Sequence, residues 1–391
     1  MSTQRARRDE RRGNVVVLTA FMIVAMCAFL AFAIDYGYLL TARTELQRAA
    51  DTAAMAACWE LIDGAPLTGN GDMSAAVYDA RTSAVNYAAL NLVCTTGPIV
   101  DPNAGNDADG GVVVGAFYDW ANPNSSIDPN ADPSTYNAVQ VRVNRTLNEN
   151  GEVPFFFAQV LGITSAPAQA QATAALLKNI KGFKTPEDGG NLGMLPFALD
   201  EDTWNNMLAG LTPDSWTWSS EGGPNGSVTP GADGVLEVNL YPQGTGSPGN
   251  RGTVDIGSSN NSTADVARQI VDGVNKTDLD YMGGELTLNE FGELFLNGDT
   301  GISAGVKDEL TSVIGRPSII PIFNSVAGNG NNADYTIIKF AGVRIMEVKL
   351  TGKLSGKRVI IQPASMVTKG TVQGDENQTS DFVYSPVILV R

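Results

Sequence analysis

The strongest hydrophobic pattern of the chain lies near its N-terminus. Residues 15–34, which begin at Val15 and end at Ile34, include no formally charged residue. At the helical rise of about 1.5 Å per residue, this run is about 30 Å long, the hydrocarbon thickness of a bilayer. The pattern therefore predicts one membrane-spanning helix.

Beyond this run the apolar residues become sparser, but their spacing stays helical. Residues 39–61 contain no Pro or Gly and are rich in Ala, the best helix former. Their apolar positions alternate at spacings of three and four, which predicts a continuous stalk helix with a narrow helix seam. The seam packs either on the chain's own external domain or on a partner helix, and periodicity alone does not decide between them. The helix seam consists of Leu39, Ala42, Leu46, Ala49, Ala53 and Ala56.

The rest of the chain alternates short strand patterns with a few helical ones. Helical spacing recurs at residues 73–93, 262–274 and 303–314, and strands are predicted at 112–120, 138–145, 168–177, 235–241, 318–323, 335–350, 357–362 and 382–390. The loop-rich stretch 178–190 marks a boundary. We therefore expect an α+β protein with mostly antiparallel sheets. The expected parts are a basic tail (1–14), a transmembrane helix (15–34), a stalk helix with a first domain (35–185) and a second domain (186–391).

Charge is distributed unevenly about the predicted span. Five arginines precede residue 15, whereas the whole chain has a formal net charge of −16. The positive-inside rule then predicts a single-pass membrane protein with its N-terminus in the cytoplasm and its bulk on the other side of the membrane. An acidic surface of this kind also argues against binding to nucleic acid. A cleaved signal peptide is the competing interpretation, but the apolar run is long and Asp35, Tyr36 and Tyr38 follow it instead of an A-x-A site.

Several residues around the span form a spaced motif. Its members are Gly13, Asp35, Gly37, Arg43, Leu46, Gln47 and Asp51. Together with the span, this motif resembles the N-terminal signature of TadG-like proteins, in the TadE/TadG-like set associated with assembly of Flp (Tad-type) pili. Weaker similarity continues at residues 137–143, 153–162 and 170–174. The resemblance implies an inner-membrane protein whose partners are pilus-assembly or secretion proteins, which the helix seam at Leu39, Leu46 and Ala53 could contact.

The same resemblance raises the question of processing. Prepilin peptidases cut after a Gly that precedes an apolar helix, and Gly13 has that position here. Pilin-like substrates usually carry a Glu five residues beyond the cut, but Leu18 stands there. We therefore expect Gly13 to be retained and the protein to stay in the membrane as an assembly factor or anchor.

The chain has three cysteines, of which Cys27 lies in the apolar run. Cys58 and Cys94 fall in the predicted external part, where oxidising conditions allow a disulfide. If the stalk helix and the next helix form a simple antiparallel hairpin, however, these cysteines lie at opposite ends and are too far apart to bridge. The sequence leaves both possibilities open.

Residues with catalytic or metal-binding chemistry are scarce. The chain has no histidine, which excludes Ser-His-Asp and Cys-His catalysis and histidine zinc ligands. It also has no phosphate-binding loop of the G-x-x-x-x-G-K-[ST] type. Asp128-x-Asn130-x-Asp132 copies only the start of an EF-hand loop, and the loop at Asp107 and Asp109 is equally partial. We therefore expect neither enzymatic activity nor a cofactor.

Two classes of function remain. The first is a non-catalytic, membrane-anchored and pseudopilin-like component of a Flp/Tad pilus-assembly or secretion system. The second is a membrane-tethered envelope module for binding or adhesion, which would share only the TadG-like anchor.

Overall fold

The computed structural model describes residues 10–68, 71–120, 122, 125–241, 251–257, 262–299, 302–328, 333–374 and 379–390. Most of the predicted basic tail lies outside this described part. The helices are α1 (Glu10–Asp63), α2 (Ser74–Leu90), α3 (Glu201–Leu208), α4 (Thr263–Asp272), α5 (Lys276–Tyr281) and α6 (Lys307–Ser312).

The strands alternate with these helices along the chain and are named β1 to β21. They are β1 (Val112–Gly115), β2 (Ala138–Arg145), β3 (Val153–Pro154), β4 (Ser165–Ala166), β5 (Ala168–Ala175), β6 (Ile180–Lys184), β7 (Phe197–Asp200), β8 (Trp216–Ser219), β9 (Ser227–Pro230), β10 (Val238–Asn239), β11 (Arg251–Val254), β12 (Glu285–Thr287), β13 (Leu294–Asp299), β14 (Pro317–Ala327), β15 (Ala333–Lys349), β16 (Arg358–Pro363), β17 (Met366–Val367), β18 (Thr371–Gln373), β19 (Ser380–Asp381), β20 (Val383–Tyr384) and β21 (Ile388–Leu389). The predicted α+β class with mostly antiparallel sheets is confirmed.

Helix α1 is one uninterrupted helix of 54 residues. Its first part contains the apolar run, which is long and apolar enough to cross a membrane and is not buried inside the protein. Its second part is the core of a folded unit, where Ala42, Leu46 and Ala53 are buried. The same helix is therefore lipid-compatible at one end and protein-covered at the other.

A first unit forms around the second part of α1. Helix α2 packs beside α1 in the antiparallel direction, and both helices lie on a four-stranded antiparallel sheet of order β1-β2-β5-β21. Small side chains at Ala49, Ala53 and Ala57 let the sheet and α2 approach the helix closely, while Val139 and Val141 fill the space from the sheet side. The helix seam is therefore the centre of this unit's own core.

This packing corrects one of the two interpretations of the helix seam. Leu46 and Ala53 are fully buried, and Leu39 is partly buried against the same core. A seam covered by its own sheet offers no surface to a partner, so the predicted partner contact through these residues is wrong. The physical reason is that a small-residue stripe accepts a β-sheet as readily as it accepts a helix.

A second unit is built on a closed ring of five strands. Strand order around the ring is β15-β13-β11-β7-β14, and β14 pairs again with β15 to close it. Only β7 and β14 run parallel in this ring. Alternate side chains enter two apolar clusters on opposite faces of the strands, as Phe197 and Ala198 illustrate. Helices α3, α4 and α6 cover the first of these clusters.

The division of the chain differs from the predicted boundary at residue 185 in two places. Strand β6 pairs with β12 and β18, so the second unit already begins before that residue. Strand β21 near the C-terminus returns to pair with β5 of the first unit. The side chains of Tyr384 and Val387 also enter the first unit's core.

The disulfide predicted as one possibility is absent, because Cys58 and Cys94 are both free. Cys58 is buried beside the backbone carbonyl of Asn137, whereas the Cys94 amide donates to Glu45 Oε2 at 2.8 Å. Glu45 lies thirteen positions before Cys58 on the same helix, a distance of about 20 Å along the axis. The antiparallel helix pair thus separates the two thiols.

Candidate functional site at the base of the first unit

The carboxylate of Asp35 is the first charged side chain after the apolar run, and it is buried. Three consecutive backbone amides donate hydrogen bonds to it. Phe156 N lies 2.7 Å from Oδ1, Phe157 N lies 3.0 Å from Oδ2, and Ala158 N lies 2.6 Å from Oδ2. These amides open the 3₁₀ turn Ala158–Leu161, whose first N–H groups have no partner within the turn itself. We call this arrangement the Asp35 latch.

The latch fastens a hairpin to the helix at the point where the apolar run ends. Strands β3 and β4 form the stem of the hairpin, and residues 155–163 form its tip. The chain reverses after the 3₁₀ turn because Gly162 adopts a φ of 82°, a conformation that side-chain-bearing residues rarely adopt. Tyr38 packs edge-on against Phe156 with 5.2 Å between ring centroids. The tip is thereby held by both a charged and an aromatic contact.

The electrostatics of the latch favour the ionised carboxylate. Desolvation raises the pKa of Asp35, but the hydrogen bonds from Phe156, Ala158 and Phe157 lower it and prevail. The resulting pKa lies below the ordinary value of 3.8. A carboxylate that accepts several backbone N–H bonds is stabilised in its charged form, so the latch is closed at neutral pH.

Further along α1 from the apolar run, side-chain hydrogen bonds connect α1 and β2 to the turn that follows α2. The Glu45 carboxylate accepts from the Cys94 amide, and Arg145 Nη1 donates to the carbonyl of Val93 at 3.0 Å. Cys94 and Thr95 adopt positive φ angles of 49° and 71° in this turn. The Tyr38 pKa is raised, chiefly by a hydrogen bond with Cys94 and by desolvation. These contacts fix the turn after α2 against the stalk.

The motif residues of the sequence are spread along this helix rather than gathered in one site. Leu46 is a core residue, and Gln47 Nε2 donates to Asp51 Oδ1 at 2.7 Å and to the Gln171 carbonyl of β5 at 3.2 Å. Arg43 and Gly37 are exposed, and a Cβ at Gly37 would meet no atom within 4 Å. Gly13 lies in the first turns of α1. The motif residues therefore have mainly structural roles, and two of them, Asp35 and Gln47, bind segments more than 120 positions away in the sequence.

The partially matching metal loops have structural explanations. Asp128 Oδ1 accepts from the Asn130 amide, and Asp132 Oδ1 accepts from the Ser134 amide, each at a turn. In the loop at Asp107, the buried Arg81 donates instead to the carbonyls of Pro102, Asn103 and Val112 and to Asn106 Oδ1. Among the residues that the structure describes, no group of three or more His, Cys, Asp and Glu could hold a metal ion.

A cleft of about 440 Å³ lies in the second unit beside α4 and α5. Its charged groups neutralise one another, because Arg268 Nη2 lies 2.8 Å from both Asp265 Oδ1 and Asp278 Oδ1. Asp278 also accepts from the Asn275 amide in the capping box of α5. Arg268, Asp265 and Asp278 are thus held by one another and by the cap of α5, so we assign no chemical role to the cleft.

Comparison with known proteins gives two family matches, both in the N-terminal part of the chain. Residues 13–60 match the Flp pilus-assembly TadE/G-like family, and residues 43–174 match the Tad-like Flp pilus-assembly family. Together the matches cover α1, α2 and the sheet strands up to β5, and neither includes the ring of strands. No curated protein and no solved structure matches the chain.

Proposed function

We propose that this chain is a non-catalytic, membrane-anchored component of a Flp/Tad pilus-assembly or secretion system, because residues 13–60 match the Flp pilus-assembly TadE/G-like family and residues 43–174 match the Tad-like Flp pilus-assembly family. It acts by holding its folded units at a fixed place outside the cytoplasmic membrane. The observation that carries this proposal is the continuity of α1, whose first part is apolar and exposed and whose second part is the core of the first unit.

A continuous helix makes the anchor and the external domain one mechanical element. A flexible linker would let the domain sample many orientations, whereas α1 fixes both its height and its direction. The Asp35 latch adds a second attachment at the membrane end. Such a construction suits a scaffold that presents a surface to assembly proteins, since binding then costs little ordering entropy.

The topology in this proposal is single-pass, with the N-terminus in the cytoplasm and both units outside. It is tested with a reporter that is active only outside the cytoplasm. Fusion after Arg391 should give an active reporter, and fusion at residue 10 should not. Activity of the residue-10 fusion alone would reverse the orientation and exclude a role at the external face.

The assignment to pilus assembly is tested by deleting the gene and imaging surface filaments. Loss of filaments, restored by the intact chain but not by a chain that lacks residues 10–34, would support an anchored assembly component. Filament number and length that are unchanged in the deletion strain would contradict it.

A second candidate function is a membrane-tethered module for binding or adhesion in the cell envelope. It is favoured by the extent of the family matches, which end at residue 174 and do not include the ring of strands. In this case the deletion strain would keep its filaments and lose attachment to a surface. The same deletion experiment therefore separates the two functions.

A further inference from the structure

The tip of the β3–β4 hairpin exposes a concentration of large apolar side chains. We call these residues the apolar tip; they are Phe156, Phe157, Val160, Leu161 and Ile163. Val160 and Leu161 are 90% and 80% exposed, values close to those of free side chains. A nine-residue loop that leaves five such side chains in water loses hydrophobic stabilisation without an evident structural reason.

The position of the apolar tip is fixed relative to the predicted span. The Asp35 carboxylate binds the amides of Phe156, Phe157 and Ala158, and Asp35 directly follows Ile34, the last residue of the apolar run. The tip is thus attached one residue beyond the membrane-crossing segment. Its exposed surface continues the exposed apolar surface of α1, on which Phe32 and Tyr36 stack with 6.0 Å between centroids.

The sequence around the apolar tip carries no charged residue, which favours a place close to lipid. Residues 153–177 contain no Asp, Glu, Lys or Arg, although the chain as a whole carries a net charge of −16. Acidic side chains at this height would be repelled by anionic headgroups, and any charge there would resist transfer into the interface. Aromatic side chains such as Phe156 and Phe157, together with Tyr36 and Tyr38 on the helix, suit the boundary between water and lipid.

We propose that the apolar tip inserts into the lipid interface of the outer leaflet, beside the point where α1 leaves the bilayer. The inference rests on the proposed function in one respect, namely that α1 spans the membrane. The protein then contacts lipid at two places: the helix crosses the bilayer, and the hairpin lies in its surface. The hydrogen bonds of the Asp35 latch fix the position of the apolar tip along α1, and this position sets the depth of the tip in the interface.

The test uses the full chain reconstituted in phosphatidylcholine–phosphatidylglycerol vesicles, with or without bromine on the acyl chains. Bromine quenches tryptophan fluorescence only at short range, and the variant Leu161→Trp reports on the tip. The unsubstituted chain in the same vesicles gives the background emission of the five native tryptophans, of which Trp59 on α1 lies about 36 Å beyond Asp35 along the helix. We expect the added emission of Leu161→Trp to be lost in brominated vesicles and to be blue-shifted in unbrominated ones.

Two control variants make each outcome decisive. Tyr78→Trp lies on an exposed face of α2, well away from the tip, and should not be quenched; Phe21→Trp lies in the apolar run and should be quenched. Quenching of Phe21→Trp without quenching of Leu161→Trp would overturn the insertion of the tip while leaving the span intact. Absence of quenching in both would refute the span itself.

A third measurement identifies a different occupant. If Leu161→Trp escapes bromine but is also shielded from iodide in the water, the tip is covered by a second copy of the chain or by another part of it, and lipid insertion is wrong. If it is quenched by iodide, the tip lies in water and the proposal is equally wrong.

Discussion

At the scale of single residues, Asp35 has a role that its place in the sequence only partly suggests. Its position after the apolar run marks it as the first polar residue outside the membrane, and the motif singles it out. Its partners, however, are backbone amides more than 120 positions away. Backbone amides leave no signature in a sequence, so no reading of side-chain patterns could find this contact.

The latch predicts a specific effect of Asp35→Asn. The neutral amide is a weaker acceptor than the carboxylate and one of its two polar atoms is a donor, so the Phe157 and Ala158 amides lose part of their bonding. We expect faster hydrogen exchange at residues 156–158 and a lower melting temperature. Asp132→Asn is the matched control, because that carboxylate accepts from the Ser134 amide at an exposed turn. Equal exchange at residues 156–158 in both variants would contradict the latch.

The pH dependence of the latch follows from the direction of the Asp35 pKa. The pKa in the folded protein is lowered below 3.8, so the stabilisation is fully present above the unfolded value and is lost as pH falls through the folded value. Exchange protection of residues 156–158 should therefore persist throughout mildly acidic pH and fall only below about 3.8. Loss of protection between pH 5 and 6 would assign the protection to another group.

The thiols give a third prediction at this scale. Burial raises the pKa of Cys58 far above its ordinary value, so its reactive thiolate form is scarce. In the native protein Cys58 should resist alkylation, and after denaturation without reductant both Cys58 and Cys94 should be alkylated completely. Mass spectrometry of the peptides checks this result. A linked peptide pair would restore the disulfide that the structure excludes.

At the scale of elements, hydrophobic period located helices α1, α2, α4 and α6 and several strands, but it missed the short helices α3 and α5. The sequence pattern places strand β2 at residues 138–145, as the structure does, and the helical pattern predicted at residues 262–274 contains α4. The pattern did not identify what covers the helix seam, because a helix and a β-sheet both need small side chains at their contact with α1. The helix seam of small residues fits a helix or a sheet equally well, and only the antiparallel β2–β5 pair, formed far along the chain, decides which one covers it.

The buried state of the helix seam predicts the cost of Leu46→Ala. This substitution removes a fully buried side chain from the middle of the first unit, which typically costs about 2–5 kcal/mol in the free energy of unfolding. Leu40→Ala, on the exposed side of the same helix, should change it by no more than about 0.5 kcal/mol. Thermal unfolding followed by helical circular dichroism measures both variants. Similar values for the two would mean that the seam is not the core.

The N-terminal end of α1 bears on processing. Gly13 lies inside the helix rather than in an extended segment before it, and a peptidase requires the backbone around the cleaved bond to be accessible. We expect the Gly13–Asn14 bond to remain intact in protein isolated from membranes. Intact-mass measurement decides the matter, and an N-terminus at Asn14 together with recovery in sheared filaments would favour a pilin-like subunit instead.

At the scale of the whole molecule, the features that escaped prediction are the pairings between distant segments. Ring closure requires β14 to pair with both β7 and β15, and β21 must cross from the second unit back to the first. Each pairing satisfies the hydrogen bonds of an edge strand, but every exposed edge in the protein offers the same groups. The choice among them depends on the three-dimensional arrangement and not on the local pattern.

The return of β21 predicts that the two units depend on each other for stability. Val387, which directly precedes β21, is buried in the first unit's core, whereas Leu389 on β21 is 41% exposed. Val387→Ala should lower the free energy of unfolding of the first unit by about 1–3 kcal/mol, and Leu389→Ala should have a smaller effect. Hydrogen exchange of α2 and β5 reports on that unit alone. Unchanged exchange in Val387→Ala would show that the C-terminal segment is dispensable.

Because α1 is unbroken, the external part would move as a rigid arm when the spanning helix tilts. Twenty-eight helical residues follow Asp35, so in the proposed topology the far end of α1 stands about 42 Å from the bilayer along the helix axis. Spanning helices tilt by about 20° on average to match bilayer thickness, and a rigid arm of this length would convert such a tilt into a sideways movement of about 14 Å. Membrane thickness would thereby set the lateral position of the first unit above the outer face of the cytoplasmic membrane.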